Sequence, residues 1–318
     1  MKESTDSQVK IQQLIAAEDL HAMDAFVESH RGASDVQSLF RMFFDYAVIS
    51  VCIALSIFFD STGVFVLTIL IIAGRQHGLM MLIHEAVHGH LHSNRKANDF
   101  LAEFFCSLPL MINFQGYRWN HLTHHLNLNS ENDPDWARKS DKGWVFPKSF
   151  SALVGFFLKE VFLELPRGRI LRVWNMLTSR KISAKRRMYI WIFYGCQFGV
   201  LIYFGWISEY LLYWIVPLWL VVPFMFLVRS IAEHFALPYK SELTSSRDIE
   251  ASFFNQIFIP HHGGYHLTHH LYPFLPAYRL KNVSEYLRKN QEFSKHSEYN
   301  DGYFFGSNTL LNRILKKK

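Results

Sequence analysis

Four apolar stretches, separated by polar segments, dominate the hydrophobic pattern of this chain of 318 residues. They lie at about residues 43–59, 64–83, 188–206 and 211–228. A helix that crosses the hydrocarbon core of a bilayer needs about 20 mostly apolar residues. The last two stretches meet that requirement and the first is marginal, whereas the second meets it only if Arg75 lies inside protein or near the membrane surface. The pattern predicts four transmembrane helices.

Short connectors join these stretches in pairs and predict their orientation. Residues 60–63 join the first pair and residues 207–210 join the second, and neither connector contains Lys or Arg. Between the pairs, residues 166–187 hold eight Lys or Arg and no acidic residue. Cytoplasmic loops carry an excess of Lys and Arg, so we expect two hairpins whose tips point outward, with both termini in the cytoplasm. The basic loop would then contact anionic lipid head groups rather than nucleic acid.

Polar segments flank the predicted membrane region. Residues 1–39 have loosely helical apolar spacing and predict an amphipathic cytoplasmic segment, residues 40–285 the membrane domain, and residues 286–318 a polar cytoplasmic tail. Hydrophobic residues make up 50% of the chain and charged residues 19%, below the ~25% charge of soluble domains. The predicted fold is an all-α integral membrane protein, with four transmembrane helices in two hairpins and a cytoplasmic helical cap.

Eight of the 17 histidines lie in three short motifs. HEAVH (84–88) follows the second apolar stretch, HLTHH (121–125) precedes the third, and another HLTHH (266–270) follows the fourth. The predicted topology brings all three to the cytoplasmic side, where they can form one site. Residues three and four apart share a helix face, so each motif presents its imidazoles together. His234 lies about two turns beyond the fourth stretch and at a similar level.

Two kinds of metal chemistry fit these motifs. HEAVH matches the HExxH pattern of zinc peptidases, in which Glu85 would be the general base. A mononuclear zinc site needs three protein ligands and a water, which leaves six of the clustered histidines without a role. Imidazole also suits iron, and eight or nine histidines are enough to bind two metal ions with positions open for oxygen. The zinc protease remains an alternative.

With these motifs the chain resembles the integral-membrane fatty acid desaturases and their hydroxylase relatives, in the compact bacterial branch. The resemblance rests on HEAVH, HLTHH and HLTHH in this order, with two spans between the second and third. It extends to GRQHGLMMLIHEAVHGH, HHLNLNSENDPDW and HHLYPFLPAYRL and covers roughly residues 40–285. It implies a non-haem di-iron centre that uses O₂ as co-substrate, with no catalytic residue beyond the metal centre. The positions that match its ligands are His84, His88, His121, His124, His125, His234, His266, His269 and His270.

Acidic residues near these motifs are candidates to hold the imidazoles, because a metal-bound histidine usually donates its other N–H to a carboxylate or carbonyl. They are Glu85, Glu233, Asp133 and Asp135. The remaining nearby histidines fit the ligand spacing less well, and we expect them at the surface or behind the ligands. They are His77, His90, His92, His261 and His262.

The resemblance implies a fatty acyl desaturase that introduces a double bond into an acyl chain. A hydroxylase or ketolase acting on an acyl, alkyl or terpenoid chain through the same di-iron centre is the alternative, and the sequence does not separate the two. Electrons would come from a separate ferredoxin or cytochrome. The expected location is the inner membrane of a bacterium, with the active site on the cytoplasmic side.

Overall fold

The structure, a computed structural model, describes residues 9–250 and 252–316, which are mainly helical. The helices are α1 (Ile11–Leu14), α2 (Ala17–Ser29), α3 (Asp35–Phe59), α4 (Thr62–His88), α5 (Arg95–Leu101), α6 (Phe114–Leu126), α7 (Trp136–Lys139), α8 (Phe150–Lys159), α9 (Leu165–Thr178), α10 (Ala184–Phe204), α11 (Ile207–Tyr210), α12 (Val222–His234), α13 (Phe253–Phe258), α14 (His266–Leu271), α15 (Ala277–Leu287), α16 (Gln291–His296) and α17 (Leu310–Ile314). Segments of π-helix lie at Ala102–Ser107, Glu160–Glu164, Leu211–Ile215 and Pro217–Val221, and 3₁₀ turns lie at Lys142–Trp144 and Glu242–Thr244. Strands β1 (Asp248–Ile249) and β2 (Tyr299–Asn300) pair in parallel.

Three helices of the described residues are long and apolar enough to cross a membrane. They are α3, α4 and the continuous segment Ile207–His234, which contains α11, two π-helical segments and α12. Helix α10 has 21 residues at the predicted third stretch, but it is not among the three. The mainly helical fold is therefore confirmed, with three candidate membrane-spanning helices among the described residues, while the arrangement of four spans and a cap stays a prediction.

Helix α4 is the central element of the membrane region. Of its most apolar window, 67% is buried inside the protein, against 28% for α3 and 39% for Ile207–His234. Its 27 residues make it about 40 Å long, which exceeds a hydrocarbon core of ~30 Å. A helix of this length that crosses the bilayer extends beyond the lipid. His84 and His88 lie in those turns.

An ion pair between α3 and α4 explains how two apolar helices each contain a charge. Asp45 is fully buried on α3, and its Oδ1 lies 3.1 Å from Nη1 of Arg75 on α4. Arg75 Nη2 also donates to the carbonyl oxygen of Gln256 at 3.1 Å. A buried charge is tolerated when it is paired and hydrogen-bonded. Arg75 therefore lies inside the protein, which is one of the two positions that the sequence allowed.

Both ends of the described chain pack against other parts of the protein. Met23 and Val27 of α2 are buried in a hydrophobic cluster with residues of α15, and Phe26 stacks on Tyr286 with ring centroids 3.7 Å apart. Beyond residue 286, Phe293 and Leu310 are also buried. The apolar face of α2 is thus covered by protein. Residues 1–8 and 317–318 of the predicted end segments lie outside the described residues.

Candidate metal centre

Nine histidine side chains from four helices converge in two groups. The five-histidine group comprises His84, His88, His121, His125 and His269, and the four-histidine group comprises His124, His234, His266 and His270. Within each group, one ring nitrogen from every residue lies within 4.8 Å of the others. The structure brings together all nine histidines that the sequence singled out, although they are separated by up to about 180 positions.

The two HLTHH motifs contribute to the groups crosswise. In each motif, the first and last histidines, which are four residues apart, enter one group, and the middle histidine enters the other. His121 and His125 of α6 are joined by His269 of α14, while His124 of α6 joins the other histidines of α14. Helix α4 completes the larger group and His234 of α12 completes the smaller. Neither motif alone could form either group.

The spacing of the ring nitrogens within the groups fits metal coordination. Six Nε2–Nε2 distances are 2.9–3.1 Å; they join His88 to His121, His121 to His125, His125 to His269, His124 to His234, His234 to His266, and His266 to His270. Two nitrogens bound at right angles to one metal ion, each at ~2.1 Å, would lie about 3.0 Å apart. The observed spacing therefore fits imidazoles that bind a common metal ion within each group.

The outer ring nitrogens of the four-histidine group exclude an ordinary hydrogen-bond network. Three Nδ1 atoms face acceptors: Asp133 Oδ1 at 2.8 Å from His124, the Ser245 carbonyl oxygen at 3.4 Å from His234, and Glu233 Oε1 at 3.3 Å from His266. A neutral imidazole has one N–H, so an Nδ1 that donates leaves a lone pair on Nε2. Lone pairs facing one another at 3.0 Å repel unless a cation lies between them. The inward-facing Nε2 lone pairs of these histidines therefore fit a bound metal ion.

The five-histidine group has weaker outer support. Among the described residues, Nδ1 of His84 and Nδ1 of His269 have no hydrogen-bond partner. Glu85 Oε1 is 3.8 Å from His84 Nδ1, and Glu85 Oε2 instead accepts a hydrogen bond from the backbone N–H of Ala277 at 2.7 Å. Glu85 therefore joins α4 to the start of α15. Both ring nitrogens of His84 are buried without a partner in the described segments, and a metal ion would satisfy one of them.

Asp133 and Asp135 differ in how they approach His124. Asp133 is buried and also accepts a hydrogen bond from Lys139 Nζ at 2.9 Å. Burial opposes its ionisation, but the hydrogen bonds from His124 and Lys139 and the positive charge of Lys139 outweigh burial and hold the pKa of Asp133 well below its usual range. Asp135 Oδ2 lies 3.9 Å from His124 Nδ1, beyond hydrogen-bond reach. Asp133 thus presents a permanent negative charge to this imidazole.

Burial favours the neutral form of five histidines on α6 and α14. It lowers the pKa of His121, His266, His269 and His270 well below the usual value, and the neighbouring imidazoles lower it further. Burial also lowers the pKa of His125 to about 4. Metal ions bind the neutral ring. The site therefore supplies imidazoles in their metal-binding form at neutral pH.

A buried carboxylate holds the third motif in place. Asp248 accepts hydrogen bonds from the backbone N–H of Thr268 at 3.0 Å, from the Thr268 hydroxyl at 2.5 Å and from the Ser284 hydroxyl at 2.7 Å. Burial raises the pKa of Asp248 although these hydrogen bonds oppose the shift. Asp248 ties α14 to α15 and β1. Sequence analysis missed this residue, which lies in a polar segment without a recognisable pattern.

The segment before the third motif docks on α4. His261 Nε2 lies 2.8 Å from Asp45 Oδ2, and His77 Nδ1 lies 3.0 Å from the carbonyl oxygen of Phe258. Gly74 and Gly78 make room for this approach, because a Cβ atom there would collide with the Ile257 carbonyl oxygen or with the Asp45 carboxylate. The GRQHG sequence is thus a contact surface for residues 256–262, which lead directly to His266.

The other histidines of these regions stay outside both groups. His262 Nδ1 is 3.0 Å from Gln256 Nε2, and His92 Nδ1 is 3.6 Å from Asp35. His90 Nδ1 is 3.8 Å from Glu85. With His77 and His261 on the docking surface, all five lie outside both groups, as the ligand spacing predicted.

Comparison with known proteins identifies the family to which this chain belongs. Residues 61–300, well over half of the chain, match the fatty acid desaturase family, and the match includes all three histidine motifs. The chain belongs to the fatty acid desaturase family. It is therefore an oxidoreductase whose clustered histidines are suited to binding metal.

Characterised desaturases and a ketolase are among its similar proteins. The chain is 26% identical to the dihydrorhizobitoxine desaturase of Bradyrhizobium elkanii over 269 residues, which cover 79% of the chain and 75% of that protein. It is 24% identical to the sn-1 acyl-lipid omega-3 desaturase (ferredoxin) of Synechocystis over 277 residues, 80% of the chain and 76% of that protein. Identity is 24% to the beta-carotene ketolase of a Paracoccus species, over 64% of the chain and 72% of that enzyme.

The zinc protease alternative is not supported. Its general base would be Glu85, but that side chain is buried and bound to the backbone of α15. His84 and His88 share their group with three further histidines, whereas a mononuclear peptidase site uses three protein ligands and keeps a position open. The HExxH pattern in this desaturase-family chain therefore arises from the i, i+4 spacing of two neighbouring histidines.

Proposed function

We propose that the protein is a membrane-bound fatty acyl desaturase that uses O₂ and two histidine-bound iron ions to introduce a double bond into an acyl chain. The observation that carries the proposal is the pair of histidine groups, whose Nε2 atoms face one another at about 3 Å. Both groups consist of histidines, and imidazole donors suit iron. Two irons held there would supply the activation of O₂ that removes hydrogen from an unactivated carbon.

The protein's own contribution is to position the imidazoles and exclude water. Asp133 and Glu233 orient His124 and His266 through Nδ1. Such outer contacts fix the ring orientation and raise the basicity of the ligand nitrogen. Six of the nine histidines are buried, so bulk water has little access to the centre. An acyl chain would reach it from the adjoining bilayer.

The proposed topology has four spans, with α10 as the third. Large apolar side chains of α10 are exposed, including Trp191 at 56%, Phe198 at 52% and Ile202 at 68%. A lipid-facing surface explains such exposure better than water does. We place both termini, the basic segment 166–187 and the metal centre on the cytoplasmic side of a bacterial inner membrane. Residues 40–285 would form the membrane domain between the end segments 1–39 and 286–318.

Electrons would come from a separate donor of the ferredoxin or cytochrome type. The Synechocystis relative is named as a ferredoxin-type desaturase. In this chain, the basic segment 166–187 could attract an acidic electron-transfer protein by electrostatic steering. The protein would therefore have two partners, a redox protein in the cytoplasm and an acyl lipid in the membrane.

A hydroxylase or ketolase with the same centre is the second candidate, because the beta-carotene ketolase relative covers 64% of the chain. Lipid extracts of cells that express the protein separate the outcomes by mass spectrometry. A product that lacks two hydrogen atoms indicates a double bond, whereas a product with an added oxygen indicates hydroxylation or ketone formation. Only the first result supports the proposed desaturation.

His124→Ala tests the metal assignment. This substitution removes the imidazole that Asp133 holds, and we expect loss of the lipid product and of at least one of two iron ions per chain, measured by mass spectrometry of the purified protein. His296→Ala is the matched control, because His296 lies on α16 outside both groups. Full iron content and unchanged product in His124→Ala would contradict the assignment, as would a single zinc ion in the unaltered protein.

A further inference from the structure

A groove outside the metal centre lies between the start of α3 and the start of α15. Its volume is about 470 Å³, and its lining residues are Val36, Gln37, Phe40, Arg41 and Tyr278. Four of these come from the first two turns of α3, and Tyr278 comes from the first turn of α15. The HHLYPFLPAYRL sequence after the third motif supplies Tyr278 and the adjoining Arg279.

Two arginines beside the groove form no direct ion pair in the described part of the chain, although the charges of Glu85 and Asp45 act on Arg41 from a greater distance. The guanidinium carbon of Arg41 lies 4.5 Å from the centre of the Tyr278 ring, and that of Arg279 lies 5.8 Å from it. Neither guanidinium group forms an ion pair or a side-chain hydrogen bond with a described residue, and Nε of Arg279 is buried without a partner. By contrast, Arg75 and Arg229 each pair with a carboxylate.

Tyr278 holds Arg41 in an orientation suited to an anion. The tyrosine is fixed because its hydroxyl accepts a hydrogen bond from the backbone N–H of Ser34 at 2.6 Å. A guanidinium group stacked on an aromatic face keeps its N–H donors free at its edge. These donors form a planar fork that matches the oxygens of a phosphate or carboxylate. The groove therefore presents a cationic site ready for an anionic group.

The surroundings of the groove are apolar and belong to a candidate membrane span. Val36 is 77% exposed and Phe40 is 66% exposed. Phe43 and Phe44, further along α3, are 59% and 46% exposed. A cation at the end of a lipid-facing helix, followed by exposed aromatic rings, suits an amphiphile whose charged head stays at the membrane surface and whose tails follow the helix.

We propose that this groove binds the phosphate head group of a membrane phospholipid, and that the reacting acyl chain is carried by that lipid. The second half rests on the proposed function. The groove adjoins the metal centre, because Ala277 next to Tyr278 donates its N–H to Glu85, the neighbour of His84. Coenzyme A carries several phosphates and an adenine ring, whereas this groove offers two cations and apolar walls.

Binding of a short-chain phospholipid to the purified full-length protein tests the groove. A fluorescent dioctanoyl phosphatidylglycerol is titrated in mild detergent, with dioctanoylglycerol, inorganic phosphate and palmitoyl-CoA as competitors. Hydrogen bonds to a charged group are worth about 1.5–3 kcal/mol, so we expect Arg41→Gln and Arg279→Gln each to weaken binding about tenfold. Arg41→Lys keeps the positive charge, and we expect it to lose less affinity for the lipid than Arg41→Gln. Arg313→Gln, an exposed arginine on α17 outside both the groove and the basic segment, is the control and retains the affinity of the unaltered protein.

The competitors and a kinetic readout distinguish the possible failures. Three results would each overturn the groove proposal. Palmitoyl-CoA could displace the fluorescent lipid more strongly than phosphatidylglycerol does, or free phosphate could displace it equally well. Both glutamine variants could also bind the lipid with the affinity of the unaltered protein. If the unaltered protein desaturates phospholipid and Arg41→Gln leaves KM unchanged, the groove is wrong while the proposed function stands. If lipid binding depends on Arg41 but no double bond forms, the proposed function fails while the groove stands as a lipid site.

Discussion

The same five residues, HLTHH, occur twice in this protein in different surroundings. At 121–125 they lie near the end of α6, where Leu122 is 39% exposed. At 266–270 they form most of α14, where Leu267 is 1% exposed and Thr268 is completely buried. Both copies nevertheless deliver their histidines to the same centre. The pentapeptide therefore fixes the spacing of three imidazoles on a helix, and the flanking chain determines how that helix is held.

The two copies are supported by carboxylates that act in different ways. Asp133, which follows the first copy in sequence, contacts the imidazole of His124 directly. Asp248, which precedes the second copy, instead contacts the backbone and hydroxyl of Thr268 between the histidines. The first carboxylate thus influences a ring nitrogen, while the second anchors the whole of α14. Substitutions at equivalent positions of the two copies should therefore have unequal effects.

Leu267→Ala should show the largest difference, because Leu267 is buried and Leu122 is exposed. Truncation of a buried leucine removes its packing and leaves a cavity, which costs about 2–5 kcal/mol. We expect Leu267→Ala to lower the thermal midpoint in detergent and to release iron more readily. Leu122→Ala is the matched control, and a surface substitution changes stability by about 0.5 kcal/mol or less. Equal losses at the two positions would mean that both helices are buried alike in solution.

Asp133→Asn should give the next largest effect, on metal affinity rather than on folding. The amide retains the shape of the carboxylate but removes the charge that faces His124. Loss of such an outer contact typically lowers metal affinity about 10–100-fold, measured as iron retained during dialysis against a chelator. Asp135→Asn is the control, because Asp135 lies 3.9 Å from the same nitrogen. An equal loss of iron in both variants would show that Asp133 acts only through the general negative charge of this loop.

Sequence analysis recovered those parts of the centre that depend on local geometry. The i, i+3 and i, i+4 spacings placed each set of histidines on one helix face. The position of His234, about two turns beyond the fourth apolar stretch, added a ninth histidine, which joins the four-histidine group. The crosswise division of the two copies depends on how α6 and α14 meet, which no local pattern encodes. Asp45 and Arg75 were visible only as interruptions in apolar stretches, and their pairing across two helices required the structure.

Burial was the property that the sequence predicted least well. Leu122 and Leu267 have the same neighbours on both sides, so no pattern within the pentapeptide separates an exposed leucine from a buried one. The apolar face of α2 was predicted, but its cover, α15, is more than 240 positions away. Segment 286–318 was predicted as a polar tail, yet Phe293 and Leu310 within it are buried. Contacts between distant segments decided each case.

Thr268→Val tests the smallest expected difference between the two copies. Valine keeps the shape of threonine but lacks the hydroxyl. Asp248, which is buried, would therefore lose one of the three hydrogen bonds that it accepts. Because a hydrogen bond to a charged group is involved, we expect a loss of about 1–2 kcal/mol in the free energy of unfolding. Thr123→Val is the matched control, since Thr123 is partly exposed and its hydroxyl makes no hydrogen bond with a described residue. The double variant Thr268→Val, Asp248→Asn separates the interaction from the separate effects of each residue. If the two substitutions are additive, Asp248 does not hold α14 through this hydroxyl, and the difference between the copies must come from the packing of Leu267 alone.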